Sequence, residues 1–159
     1  MTKIEVTING KKVSTEVRGA TLLVDLIRDE LRLTGTHVGC DTSQCGSCTI
    51  HLDGQSVKSC TMLAAQADGS DIVTIEGMAR IEGGTVKLHP VQQAFTECHG
   101  LQCGFCTPGM VMASASLLKA KPDPTDEDIV QGLGGNLCRC TGYVNILESV
   151  KRAAALMKA

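Results

Sequence analysis

The chain has 159 residues, a formal net charge of −2 and an isoelectric point near 6.1. With no basic stripe and no interleaved aromatic platform, that balance excludes nucleic acid as a partner. There is no Trp, one Tyr and two Phe, so two halves of about 75 residues would each need a staple beyond hydrophobic burial.

Residues 3–9 alternate as Lys-Ile-Glu-Val-Thr-Ile-Asn, the pattern of a half-buried strand. Asn9-Gly10 predicts a hairpin, with a second strand over Lys12–Val17. Thr21 predicts the cap of an amphipathic helix carrying Leu22, Leu23, Leu26, Ile27 and Leu31 on one side. A loop rich in Gly, Cys and Ser follows from Thr34 to Ser47. Strand character returns over Cys48–Leu52, turns at Asp53-Gly54, resumes through Val57 and recurs at Asp71–Ile75. A small mixed sheet crossed by one helix is the β-grasp pattern.

Residues 77–89 contain Gly77, Gly83 and Gly84 without a clear period and read as linker. Beyond them the period is helical. Pro90 suits a first turn, with Val91, Ala94, Phe95 and Cys98 on one face before Gly100. Thr107-Pro108 opens a second helix that Pro122 ends. Thr125-Asp126-Glu127-Asp128 is a capping box, with acids placed to suit the helix dipole. A last helix starts near Tyr143, with Val144, Leu147, Val150, Ala154 and Met157 inward. The chain therefore reads as α+β: a β-grasp ferredoxin domain over 1–77, a linker over 78–89 and a four-helix domain over 90–159.

The apolar runs, such as Thr21–Ile27 and Met110–Ala113, are far shorter than the ~20 residues that span a bilayer. The start lacks the apolar stretch of a secretory signal. A cytoplasmic setting keeps thiols reduced. The odd count of nine cysteines also speaks for metal ligands over a disulfide framework.

Cys40, Cys45, Cys48 and Cys60 form C-x4-C-x2-C with a distant fourth thiol, the plant-type 2Fe–2S spacing. A tight loop wraps three thiolates around the cluster, and Gly39 and Gly46 let backbone N–H groups approach the sulfurs. Zinc also takes four thiolates, but its signature pairs two short arms. Cys103, Cys106, Cys138 and Cys140 form C-x2-C and C-x-C arms, a less specific spacing that leaves zinc open. Thr107 and Thr141 follow ligand cysteines as expected caps, which would point two helix dipoles at one anionic centre.

Cys98 lies on an apolar helix face and reads as a buried inert thiol. His37, His51, His89 and His99 read as ordinary polar residues, and without Cys-x-His a Rieske centre is excluded. Arg139, between two candidate ligands, either offsets cluster charge or faces a partner. No nucleotide loop and no nucleophile elbow is present.

Gly39–Cys48, Gly100–Gly109 and Gly135–Tyr143 together resemble the iron–sulfur subunit of molybdenum hydroxylases, the xanthine dehydrogenase and aldehyde oxidoreductase family. The Cys40-Asp41-Thr42-Ser43 stretch, with Ser56–Thr61, is most similar to the small subunit of aerobic carbon monoxide dehydrogenase; Gln44 and Ser47 depart from the His and Ala expected there. The resemblance implies two 2Fe–2S clusters, the Cys103/Cys106/Cys138/Cys140 cluster near a molybdenum–pterin cytosine dinucleotide and the Cys40/Cys45/Cys48/Cys60 cluster nearer FAD. It implies that Gln102 and Cys140 contact the pterin. It places molybdenum in a large partner subunit and FAD in a medium one, as a dimer of heterotrimers in the cytoplasm or at the inner face of the membrane. Electrons would pass from molybdenum through this chain, which supplies no catalytic group, with carbon monoxide, an aldehyde, a purine or an N-heterocycle as substrate. A free two-cluster ferredoxin and a zinc-stabilised adaptor are the readings from other classes.

Overall fold

In the computed structural model, which describes residues 1–158, the first alternating run is strand β1 (Thr2–Ile8), burying Ile4, Val6 and Ile8. It turns at Asn9 and Gly10, both at positive φ as a type I′ hairpin requires, into β2 (Lys11–Val17). The predicted helix is shorter than its apolar stripe. One α-turn, α1 (Leu23–Asp25), widens into a π-turn over Leu26–Glu30. Leu22, not Thr21, precedes it, and no side chain caps it. Tertiary pairing overrides the cap: the Thr21 carbonyl accepts the Ala64 N–H at 2.8 Å, and Leu22 bridges to Leu63.

Strands β3 (Thr49–Leu52), β4 (Gln55–Lys58) and β5 (Asp71–Val73) complete a sheet of order β2-β1-β5-β3-β4. The β1–β5 pair is parallel and the others are antiparallel. Ile4, Val6, Leu23, Leu26, Ile27, Ile50 and Ile72 close the core between sheet and helix, each burial stabilising by about 1.5–3 kcal/mol. The stretch read as linker holds a hairpin, β6 (Arg80–Glu82) and β7 (Thr85–Lys87), turning on Gly83 and Gly84 at positive φ. Three residues per strand are too few for alternation to stand out.

Four helices follow: α2 (Pro90–Glu97), α3 (Thr107–Ala120), α4 (Asp126–Gly132) and α5 (Val144–Lys158). Val91, Phe95, Met110, Leu118, Ile129, Ile146 and Val150 form their shared core. His89, read as an ordinary polar residue, is the N-cap of α2: its Nδ1 accepts the Val91 N–H at 3.2 Å, and Gln92 Oε1 accepts the His89 N–H at 3.0 Å. On α5 the buried stripe is Ile146, Ser149, Val150, Ala153 and Ala154, a helical i, i+3, i+4, i+7, i+8 pattern. Val144 and Met157, expected inward, are 69% and 43% exposed. Among the described residues no helix is long and apolar enough to cross a membrane.

The capping box of α4 forms as read. Thr125 Oγ1 accepts the Asp128 N–H, and the Asp128 carboxylate accepts from Thr125 and pairs with Lys121 at 2.6 Å. The Lys121 ammonium first, then Thr125, lowers Asp128 from 3.8 to about 2. A lowered carboxyl stabilises above its unfolded value, and that contribution is lost as pH falls through the folded one. Between about pH 4 and pH 2 the amide protection of α4 should therefore decline, and Asp128→Asn should abolish this pH step in hydrogen exchange.

Two candidate metal centres

The loop after the α1 and π turns delivers the first thiols, and the β3–β4 hairpin brings in the last. The Cys40 sulfur accepts the Cys45 N–H at 3.4 Å. That N–H, with the Thr42 N–H, the Cys45 thiol and the Gln44 N–H, lowers Cys40 to about 6. Cys48 stands just before β3 and Cys60 just after β4, on a 3-10 turn over Ser59–Thr61. The Thr49–Lys58 register places them side by side, and the Ser59 hydroxyl and N–H both donate to the Cys48 carbonyl. Both thiols are buried. Burial first, then the Cys48 thiol, pushes Cys60 up to about 11, while the Ser43 N–H pulls the other way.

The second set comes from the turn before α3 and the loop between α4 and α5. Cys106 is the N-cap residue of α3 and meets Cys138; burial first, then that thiol, pushes it up to about 12. Cys103 meets Cys140, and the hydrogen bond between the two side chains raises Cys140. At Cys138 burial opposes ionisation, but the hydroxyl and N–H of Thr141 with the Cys140 N–H outweigh it, and the thiol is lowered. Thr141 Oγ1 donates to Cys138 Sγ at 3.2 Å, and the Tyr143 hydroxyl accepts the Cys138 N–H at 2.9 Å.

The expected pair of threonine caps is corrected. Thr107 makes no cap, and its hydroxyl is buried without a partner. Thr141 serves Cys138 and the Tyr143 N–H, and α5 begins only at Val144, after Tyr143 at φ +68. One helix N-terminus, that of α3, abuts a candidate ligand. The dipole therefore acts on the second set from one side only.

Within each set the thiols lie against one another: Cys40 with Cys45 and Cys60, Cys60 with Cys48, Cys103 with Cys140 and Cys106, and Cys138 with Cys106 and Cys140. A single zinc ion would draw four sulfurs to one point at about 2.3 Å. Among the described residues no three such side chains surround one ion-sized point. Sets of four all-sulfur donors suit an iron–sulfur core, which these thiols would hold. The loop is close-packed at Gly39, where a Cβ would stand 3.2 Å from Cys45 Sγ.

Between the sets lies a tight seam. The Leu137 N–H donates to the Cys45 carbonyl at 2.8 Å. Buried Asn136 donates to the Gly46 carbonyl at 3.0 Å and to Thr49 Oγ1 at 3.3 Å. A Cβ on Gly46, already at φ +73, would collide with the Gly135 carbonyl oxygen; one on Gly109 would collide with that of Gly46. His37 donates to the Phe105 carbonyl at 2.7 Å and stacks on its ring, and His51 donates to the Met112 carbonyl at 2.8 Å. Two histidines read as ordinary polar residues thus stitch the halves together. Nothing local in sequence marks them, because their partners lie more than 60 residues away.

Exposure separates the sets. Cys103, Cys140 and Gln102 are exposed, with Leu101, Phe105, Leu137 and Tyr143 as exposed apolar neighbours. Pro108 beside them is half-buried. Cys98 is half-buried at the end of α2, not fully buried as expected, and joins neither set. Arg139 is exposed.

The model of a 2Fe-2S iron-sulfur cluster binding domain matches residues 6–73, and that of a [2Fe-2S] binding domain matches residues 74–151. Caffeine dehydrogenase subunit gamma of Pseudomonas sp. strain CBB1 is 50% identical over 151 residues, 93% of this chain and 88% of that one. A Bacillus subtilis strain 168 relative, named as a probable xanthine dehydrogenase subunit, is 45% identical over 150 residues, 94% of this chain and 84% of that one. The chain belongs to the small iron–sulfur subunits of the molybdenum hydroxylases. The fold agrees: quinoline 2-oxidoreductase from Pseudomonas putida 86 superposes with a TM-score of 0.92 at 41% identity, over 99% of this chain and 96% of that one. Small iron–sulfur subunits of this family serve oxidoreductase complexes without supplying the catalytic group.

Proposed function

We propose that Cys40, Cys45, Cys48 and Cys60 hold one 2Fe–2S cluster, that Cys103, Cys106, Cys138 and Cys140 hold the other, and that the chain carries electrons between partner subunits. When bound, each cluster takes up and returns one electron. The observation that carries this reading is the 2.8 Å hydrogen bond from Leu137 N–H to the Cys45 carbonyl. It joins a residue of the first set to the neighbour of Cys138 through covalent bonds and one hydrogen bond. The five-stranded sheet is read as a β-grasp ferredoxin module and α2–α5 as a four-helix module, over 1–77 and 90–159.

The direction rests on the family resemblance, and the exposure of the second set supports it. Exposed Cys103, Cys140 and Gln102 face a large subunit holding a molybdenum–pterin cytosine dinucleotide, with Gln102 and Cys140 against the pterin. The first set lies toward FAD in a medium subunit. The exposed side chains of Leu101, Phe105, Leu137 and Tyr143 would be covered in the complex, a dimer of heterotrimers. A purine or another N-heterocycle is the favoured substrate class, because relatives named for caffeine, xanthine and quinoline are this similar. Carbon monoxide is the second reading and rests on the Cys40–Ser43 stretch.

The test is reduction of the purified complex. It should show two distinct paramagnetic signals with iron and sulfide in equal amounts; zinc in either set would overturn the reading, as would elution of the native chain alone. Gln102→Ala should leave iron content intact and slow electron entry from the large subunit about two- to tenfold, the factor for one hydrogen bond of about 0.5–1.5 kcal/mol. Unchanged kinetics would remove Gln102 from the path.

A further inference from the structure

We propose that the Lys58 ammonium raises the reduction potential of the first cluster, making that site the resting place of the first electron. The inference rests on the iron–sulfur reading above. Lys58 ends β4, two residues before Cys60. Its Nζ donates to the Ser43 carbonyl at 2.6 Å, inside the loop from Cys40 to Cys45. It also reaches the second half: a Cβ on Gly135 would stand 3.2 Å from Nζ.

Ser43 holds φ +60, a left-handed conformation uncommon for a residue with a side chain. One ammonium thus pins the carbonyl of a residue inside the loop that runs from Cys40 to Cys45. Among the described residues no ion pair includes Lys58, so no bonded carboxylate cancels its charge. Lys58 is half-buried, which limits screening by water.

Reduction adds one negative charge to a site that is already anionic. A fixed cation beside it favours the reduced form. The second set has a cation too, in Arg139, but that side chain is exposed and forms no ion pair among the described residues. The asymmetry between a clamped and a free cation sets the downhill order.

The experiment is a potentiometric titration of the intact complex followed by paramagnetic resonance, which reads each cluster separately. Lys58→Met removes charge and donor; Lys58→Gln removes charge and keeps a donor; Lys58→Arg keeps both. With Met and with Gln, the electron should move about tenfold toward the second cluster, equivalent to about 59 mV for a one-electron couple. Arg should hold the wild-type partition. First-cluster potentials unchanged in Gln, or equal shifts at both clusters, would overturn the proposal; should Met fail to load iron, Gln alone decides. Absence of two signals in the wild type would instead overturn the iron–sulfur reading.

Discussion

A Cys106→Ala chain is expected to carry half the iron of the wild type and to lose one of two paramagnetic signals on reduction. Cys106 is the N-cap of α3 and meets Cys138, so its loss removes one of the four thiols in the second set. No spare thiol replaces it, because Cys98 caps the C-terminus of α2 and joins neither set. The helices should survive, since Phe95, Met110, Ile129 and Ile146 are fully buried at the centre of the core and Cys106 packs only against its edge. Iron and sulfide analysis with far-ultraviolet circular dichroism checks both halves of the expectation. Full iron content in the variant, or a collapse of helicity, would contradict this account of the second centre.

The second large effect is expected at the seam. Gly109→Ala drives a methyl into the Gly46 carbonyl oxygen and places it 3.1 Å from the Gly46 carbonyl carbon and the Ser47 Cα. All three are backbone atoms, so no rotamer change relieves the contact. Overpacking of this kind costs about 1–3 kcal/mol. For a chain of this length each kcal/mol lowers Tm by about 2–4 °C. The strain should also lengthen the Leu137–Cys45 hydrogen bond next door and slow transfer between the clusters at unchanged potentials. Gly104→Ala is the control. Gly104 has φ +84 but open space around a Cβ, so only backbone strain of about 1–2 kcal/mol is added. Melting curves and flash-induced transfer rates separate the two; equal behaviour would remove the seam from the electron path.

The contrast between the thiols and their surroundings explains what the sequence could reveal. Cys40, Cys45 and Cys48 fall within one loop, so their spacing carries the chemistry directly. Cys60 is distant in sequence but sits one strand pair away, and Asp53-Gly54 marks the turn that returns it. Thr107 and Thr141 misled because capping was inferred from residue type, while the backbone at Tyr143 leaves the helical region before α5 begins. Leu22 in place of Thr21 repeats the lesson: a pairing with Leu63 fixes where that helix starts. His37, His51 and Asn136 were illegible for another reason. Each bonds backbone across the seam, and nothing in a single sequence couples positions so far apart.

The glycine contacts of that seam bear on how such a chain can be recombined. Each half carries a surface shaped for the other, with bare backbone at Gly46 and Gly109 where side chains would collide. A hybrid that took its first half from one relative and its second from another would have to inherit these two positions together with Asn136 and Thr49. The two halves are therefore constrained to travel as a unit, although each proposed set of four cysteines belongs wholly to one half.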